Sequence, residues 1–156
     1  MAERQFSSFY LNDTLFGIDI LVVSDIYRHL EMTPVHRLPP YVRGLLNLRG
    51  QIVTVLDLGI RLGLDAREID DQTRCIILKT DSDLSRDYLE SGKQVSMGSH
   101  VVGLLVDKIG EVISVDDSRI EKPPANVAQI EKKYLSGVVK LDHELLSIVK
   151  IGEVLN

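Results

Sequence analysis

A single internal repeat constrains this chain more than any other feature. Shifted by 93 residues, Tyr41 to Leu62 falls on Tyr134 to Leu155 without a gap. Five of the 22 pairs are identical: Tyr41/Tyr134, Gly44/Gly137, Leu48/Leu141, Gly59/Gly152 and Leu62/Leu155. Eight more pair aliphatic with aliphatic, Ile52/Leu145 and Val55/Ile148 among them, and Thr54/Ser147 is a near-match. A weaker echo sets Gly17-Ile18-Asp19-Ile20 against Gly103-Leu104-Leu105-Val106. Two similar units inside 156 residues are each too small to bury much surface alone. They must pack over a shared apolar layer, and 53 Leu, Ile and Val residues supply it.

The repeated unit is built from strands. Short β-branched runs recur at close spacing over 6–11, 15–20, 24–28, 44–48, 52–57, 74–80, 100–107, 110–115, 137–141 and 145–150. Asn12-Asp13 and Arg49-Gly50 have hairpin chemistry, and Asp142-His143 occupies the same place in the second repeat. Helical pattern is confined to Leu58–Leu62 and Asn126–Tyr134. Pro39-Pro40 and Pro123-Pro124 punctuate the halves, because proline cannot donate to a central ladder. The expected fold is mainly all-β, a barrel or a sandwich, with two similar small subdomains inside one domain over 1–156. Residues 81–99, rich in Asp, Ser and Gly, read as a long loop insertion, either a hairpin extension without a task or a functional loop.

Composition excludes several functions. The longest apolar runs fall far short of the roughly 20 residues that span a bilayer as a helix, and the N-terminus has no apolar signal core. A soluble, cytoplasmic protein is expected. Eighteen basic against 23 acidic residues leave no basic surplus for a duplex, and 5% aromatics without Trp supply a poor base-stacking platform. Cys75 alone cannot form an intrachain disulfide or a cysteine-based zinc site, and it reads as a small buried hydrophobe. His29, His36, His100 and His143 have no ligand spacing, and no nucleophile elbow, phosphate loop or dinucleotide fingerprint is present. Asn12-Asp13-Thr14 matches a glycosylation sequon but reads as a turn. Neither catalysis nor a cofactor or metal is expected.

Binding through strands and turns remains. Arg49, in Asn47-Leu48-Arg49-Gly50-Gln51, is either a solvated turn residue or a guanidinium held in place to anchor a partner. Leu21-Val22-Val23 exceeds the apolar content that a half-buried strand needs, so one of the three either completes the core or faces an exposed groove near Asp25. Binding of a small molecule or nucleic acid by a β-barrel is the alternative class.

The motifs Phe16-Gly17-Ile18-Asp19-Ile20, Val23-Ser24-Asp25-Ile26, Tyr41-Val42-Arg43-Gly44-Leu45-Leu46-Asn47-Leu48-Arg49-Gly50-Gln51-Ile52-Val53 and Val55-Leu56-Asp57-Leu58 resemble the CheW-like family of chemotaxis coupling proteins. Gly103-Leu104-Leu105-Val106-Asp107 and Tyr134-Leu135-Ser136-Gly137-Val138 extend the resemblance from about Phe6 to Leu155. It implies two SH3-like five-stranded β-barrel subdomains, at about 21–80 and 6–20 plus 100–155, packed around a common core, with a few short helices. It also implies a non-enzymatic adaptor that couples chemoreceptor cytoplasmic tips to the regulatory domain of a CheA-type histidine kinase, in flagellar chemotaxis or another chemosensory pathway. The receptor-facing groove would fall on Val23, Arg49, Gly50, Gly103, Ile109 and Val112, with core packing the alternative role for Ile109 and Val112. Kinase contact would fall on Asp25 and on Ile120, Glu121 and Lys122. Asp57 would order the turn after its strand. Asp25 stands where the family often has glutamate, the Lys79–Ser99 connection is longer than the family's usual hairpin, and the pattern after Ile120 departs from the familiar one.

Overall fold

Alternation of apolar and polar residues places strands where the sequence does, in a computed structural model that describes residues 3–84, 100–127 and 129–155. In chain order they are β1 (Glu3–Leu11), β2 (Thr14–Asp19), β3 (Val23–Tyr27), β4 (Val42–Leu48), β5 (Gln51–Asp57), β6 (Arg74–Leu78), β7 (Val101–Val106), β8 (Lys108–Asp116), β9 (Asn126–Val127), β10 (Ile130–Glu131), β11 (Leu135–Lys140) and β12 (Leu145–Val149). Two short helices, α1 (Leu58–Arg61) and α2 (Ile151–Leu155), follow β5 and β12. One sheet runs β3-β6-β7-β5-β4 and the other β8-β1-β2-β12-β11, so the fold is mainly β. Neither sheet closes into a hydrogen-bonded barrel: β3 and β4 are the edges of one, β8 and β11 of the other.

The repeat is reproduced in the strand pairing. In both hairpins the register slips at glycine, between Val42 and Gly44 and between Leu135 and Gly137. Beyond each slip an outside segment bridges the edge, Thr33 to Leu45 and Glu121 to Val138. The hairpin ends on the same backbone bond, Asp57 N to Tyr41 O at 2.6 Å and Lys150 N to Tyr134 O at 2.7 Å. Each second strand then takes a parallel neighbour, Val55 beside Gly103 and Ile148 beside Gly17. The weak Gly17/Gly103 echo therefore marks equivalent strands, β2 and β7. Following the registers outward, β1 corresponds to β6 and β8 to β3.

Three apolar clusters result. One belongs to the first sheet, around Leu46, Val53, Cys75 and Leu105, and one to the second, around Phe6, Val115, Leu146 and Ile148. The third lies between the sheets and draws equivalent residues from both, such as Leu56 with Val149, Leu58 with Ile151 and Leu78 with Phe9. Matching surfaces on both units make the contact isologous, so the two units are related by an approximate two-fold axis.

Two expectations need correction. The sequence groups β7 with residues 100–155 in the second subdomain, but it is hydrogen-bonded between β5 and β6 of the first sheet. The boundary falls at Asp107, because parallel pairing to β5 recruits a strand distant in sequence. Asn126–Tyr134 is not one helix: β9 and β10 pair there, with Ile130 opposite Val127, and a 3₁₀ turn follows over Lys132–Tyr134. Most of the expected 81–99 insertion, from residue 85 to 99, lies outside the described residues. Its start is a 3₁₀ turn at Asp81–Asp83, where the Thr80 hydroxyl donates to Asp83 at 2.8 Å.

Candidate partner-binding site

Arg49 and Gly50 both take positive φ, 55° and 83°, the conformation of a two-residue hairpin turn matched to strand twist. Asn47 Oδ1 accepts from Gly50 N at 3.0 Å and stiffens the turn. The Arg49 side chain is 81% exposed, yet its Nη2 reaches Asp25 Oδ2 at 3.3 Å. β3 and β4 are opposite edges of their sheet, so this ion pair spans the open seam. Tyr27, His29, Glu31, Leu46 and Asn47 line a cleft of about 350 Å³. The structure thus joins Asp25, expected at a kinase contact, to Arg49, expected at a receptor contact.

Val23 opens edge strand β3 and Ile109 is the second residue of edge strand β8, and both pack half-buried against the cluster between the sheets. Val112, three residues on from Ile109, is 53% exposed, which excludes core packing as its role. Gly103 does not belong to that surface. It is buried, and a Cβ added to it would strike Cys75 Sγ and lie 3.2 Å from Val53 and Ile77, all inside the first sheet's own core. Its missing side chain makes room for Cys75, whose thiol burial pushes up to about 12. Ile120 packs on the second sheet's core, Glu121 bridges Val138, and Lys122 is exposed. The expected kinase residues are therefore split, with Asp25 on the first sheet and 120–122 along the second.

Two constellations escaped the sequence reading. Asp57 is fully buried; its Oδ1 accepts from Ile60 N at 3.1 Å to cap α1, and its Oδ2 accepts from Arg43 at 3.0 Å and Arg67 N at 2.7 Å. Arg67, also buried, donates to Asp107 at 2.9 Å, on the connection between the two sheets. Asp57 does order the turn after its strand, and it also closes a buried ionic network. Arg61 lies over Tyr41 and Tyr134, equivalent residues of the repeats, at 5.1 and 5.5 Å. It donates to the carbonyls of Glu153 and Val154 at 3.1 and 3.0 Å, holding the end of α2. No spacing rule links Asp57 to Arg67 or Arg61 to Val154.

Among the described residues no group of three His, Cys, Asp or Glu could hold a metal ion. Exposed apolar edges, an open seam and internally consumed charges define a class: a twin-sheet binding scaffold. The chain belongs to the CheW-like domain family, whose model matches residues 5–156. It is 28% identical to the chemotaxis protein CheW of Klebsiella aerogenes, over 98% of this chain and 82% of that one. It is 32% identical to CheW of Bacillus subtilis, over 95% of this chain and 84% of that one. The crystal structure of the scaffolding protein TtCheW from Thermoanaerobacter tengcongensis superposes with a TM-score of 0.79 at 28% identity, covering all of this chain and 90% of that one. The protein is accordingly a non-catalytic scaffold of chemotaxis signalling.

Proposed function

We propose that this chain couples the cytoplasmic tip of a chemoreceptor to the regulatory domain of a CheA-type histidine kinase, at the cytoplasmic face of a receptor array. The observation that carries this reading is the apolar layer between the sheets, which reaches half-buried Val23 and Ile109 at its rim, with exposed Val112 further along the same strand as Ile109. Such a surface is the ordinary mark of a protein partner. Arg49 and Gly50 form a rigid polar tip on the same sheet as Val23, where a fork of guanidinium donors can meet a partner's carboxylate or carbonyls. Asp25 holds that fork, and Ile120, Glu121 and Lys122 offer a separate surface for the kinase. No described helix is long and apolar enough to cross a membrane, so the receptor supplies the attachment.

Val23→Glu and Arg49→Glu should each weaken binding of a soluble receptor-tip fragment at least tenfold while the circular dichroism spectrum stays that of the wild type. Normal binding by both folded variants would remove the receptor assignment. The small-molecule alternative would use the polar cleft of about 510 Å³ lined by Tyr10, Asn12, Arg67 and Asp107. Arg67 and Asp107 there bond each other at 2.9 Å.

A further inference from the structure

The layer that joins the two sheets is apolar, and apolar attraction is non-directional. Hydrogen bonds and ion pairs need set distances and angles, so polar contacts across the layer fix how one sheet sits on the other. Two arginines of the first unit make such contacts. Arg61 holds α2, and Arg67 holds the junction where the chain passes from β7 to β8.

Arg67 is buried in the loop between α1 and β6 and is itself fixed before it reaches the second sheet. Its N–H donates to Asp57 Oδ2 at 2.7 Å, its carbonyl accepts from Arg43 at 2.7 Å, and its Nη2 donates to the Asp65 carbonyl at 2.8 Å. The guanidinium lies against Gly59, where an added Cβ would stand 2.5 Å from Nε. So held, Nη1 donates beyond the loop, to Asp107 Oδ2 at 2.9 Å and Asn12 Oδ1 at 3.3 Å. Asn12 begins the two-residue turn between β1 and β2, with φ of 55°. Its N–H donates to the same Asp107 oxygen at 2.6 Å, and Asp107 N donates to the Tyr10 carbonyl at 3.1 Å. One carboxylate thus ties the loop after α1 to the β1–β2 turn and to the β7–β8 junction. Tyr10, Asn12, Arg67 and Asp107 all line the polar cleft of about 510 Å³, whose walls come from both sheets.

The repeat shows that the fold does not demand this tie. In the Gly17/Gly103 equivalence, Leu21 is the counterpart of Asp107, and it packs on the shared cluster. An apolar residue therefore serves the matching junction, between β2 and β3. What the tie controls is β8. Ile109 follows Asp107 by two residues, and Val23 opens β3 after the 3₁₀ turn Ile20–Val22, which packs against β1.

We propose that Arg67 is a positioning residue for receptor binding: by holding Asp107 and Asn12 it seats the second sheet on the first and so sets where Ile109 stands relative to Val23. Arg67 itself touches no partner. This rests on the receptor-coupling reading above and deepens it.

The test is the affinity of the full chain for a fluorescent receptor-tip fragment, measured where circular dichroism shows each variant fully folded, beside its urea midpoint. Under those conditions a residue that only stabilises the fold leaves affinity unchanged. Arg67→Met keeps the apolar stem without the donors and should weaken binding several-fold. Asp107→Leu copies the equivalent Leu21 and should weaken it by a similar factor. The double variant should be no weaker than either, because both changes remove one tie. Arg67→Lys keeps a cation beside Asp107 and should recover most of the affinity. Thr73→Val removes a buried hydroxyl that bonds Glu68 and Asp70 in the same loop, and should lower the urea midpoint at unchanged affinity. Spin labels at Ser24→Cys and Glu111→Cys, exposed on β3 and β8, should give one distance in the otherwise native chain and a shifted or broader one with Arg67→Met. Cys75 stays unlabelled, since burial pushes its thiol up to about 12. Native affinity in folded Arg67→Met and Asp107→Leu would overturn the proposal and leave the receptor reading standing. Weaker binding at an unchanged label distance would also overturn it, because Arg67 would then act by contact. If the wild type binds no receptor fragment, the receptor reading fails and the proposal falls with it.

Discussion

Asp57 and Lys150 occupy one position in the two repeats, and each closes its hairpin with the same backbone bond to a tyrosine carbonyl. There the likeness ends. Asp57 is buried among Arg43, Arg67 and the first turn of α1, whereas Lys150 is exposed. The comparison separates what the fold requires from what one half has added. Backbone pairing, the glycine bulges and the aliphatic positions are common to both halves. The ionic network belongs to the first half alone, where it fastens the loop after α1 and reaches Asp107 at the junction between the sheets.

The largest effect should come from that asymmetry. Asp57→Ala takes the carboxylate from Arg43 and leaves the buried N–H groups of Ile60 and Arg67 without their acceptor, while Arg67 keeps Asp107, and should cost about 3–5 kcal/mol in urea unfolding. Lys150→Ala, its counterpart, should cost less than about 0.5 kcal/mol. Comparable losses in both would mean that the buried network contributes nothing beyond the shared backbone bond. Next comes the bulge. A Cβ at Gly44 would lie 2.7 Å from the Thr33 carbonyl, a backbone atom that cannot move alone. Gly44→Ala should therefore cost about 1–3 kcal/mol. At Gly137 an added Cβ would meet Ile120 Cγ2 at 2.5 Å and the Glu121 carbonyl at 3.1 Å, so Gly137→Ala should cost a similar amount. A negligible cost at either glycine would show that its bulge does not depend on the missing side chain.

Arg61→Leu tests the element on the approximate axis. It removes contacts to both equivalent tyrosines and the donors that hold α2, and should cost about 1–2 kcal/mol. Val154, its counterpart in the repeat, is 1% exposed and does no such work. Arg49→Glu should change stability least, within about 0.5 kcal/mol, because the pair with Asp25 is solvent-exposed. A large stability loss there would make the pair a structural closure of the seam and weaken the case for a binding anchor.

Strands and the repeat were legible because a half-buried strand needs alternation and a tight turn needs particular residues, and both demands are local. The Gly17/Gly103 echo was visible for the same reason. Which strand β7 joins was not visible, since its parallel neighbour β5 is set by packing across the whole unit. Gly103 carried the same difficulty: its motif was recognisable, but only the register shows that Cys75 and Val53 surround it. Asn126–Tyr134 has helical spacing that pairing of Ile130 with Val127 overrides. At the site, Val23, Arg49 and Val112 stand exposed or half-buried as a binding role requires.

The central claim is that one molecule holds kinase and receptor together. Size-exclusion chromatography with light scattering, on the chain mixed with a CheA-type regulatory domain and a receptor-tip fragment, tests it most directly. One peak with the mass of all three is the expected result, and Arg49→Glu should release the receptor fragment while the kinase domain stays bound. Two exclusive binary complexes, or a chain that elutes alone at micromolar concentration while folded, would contradict it.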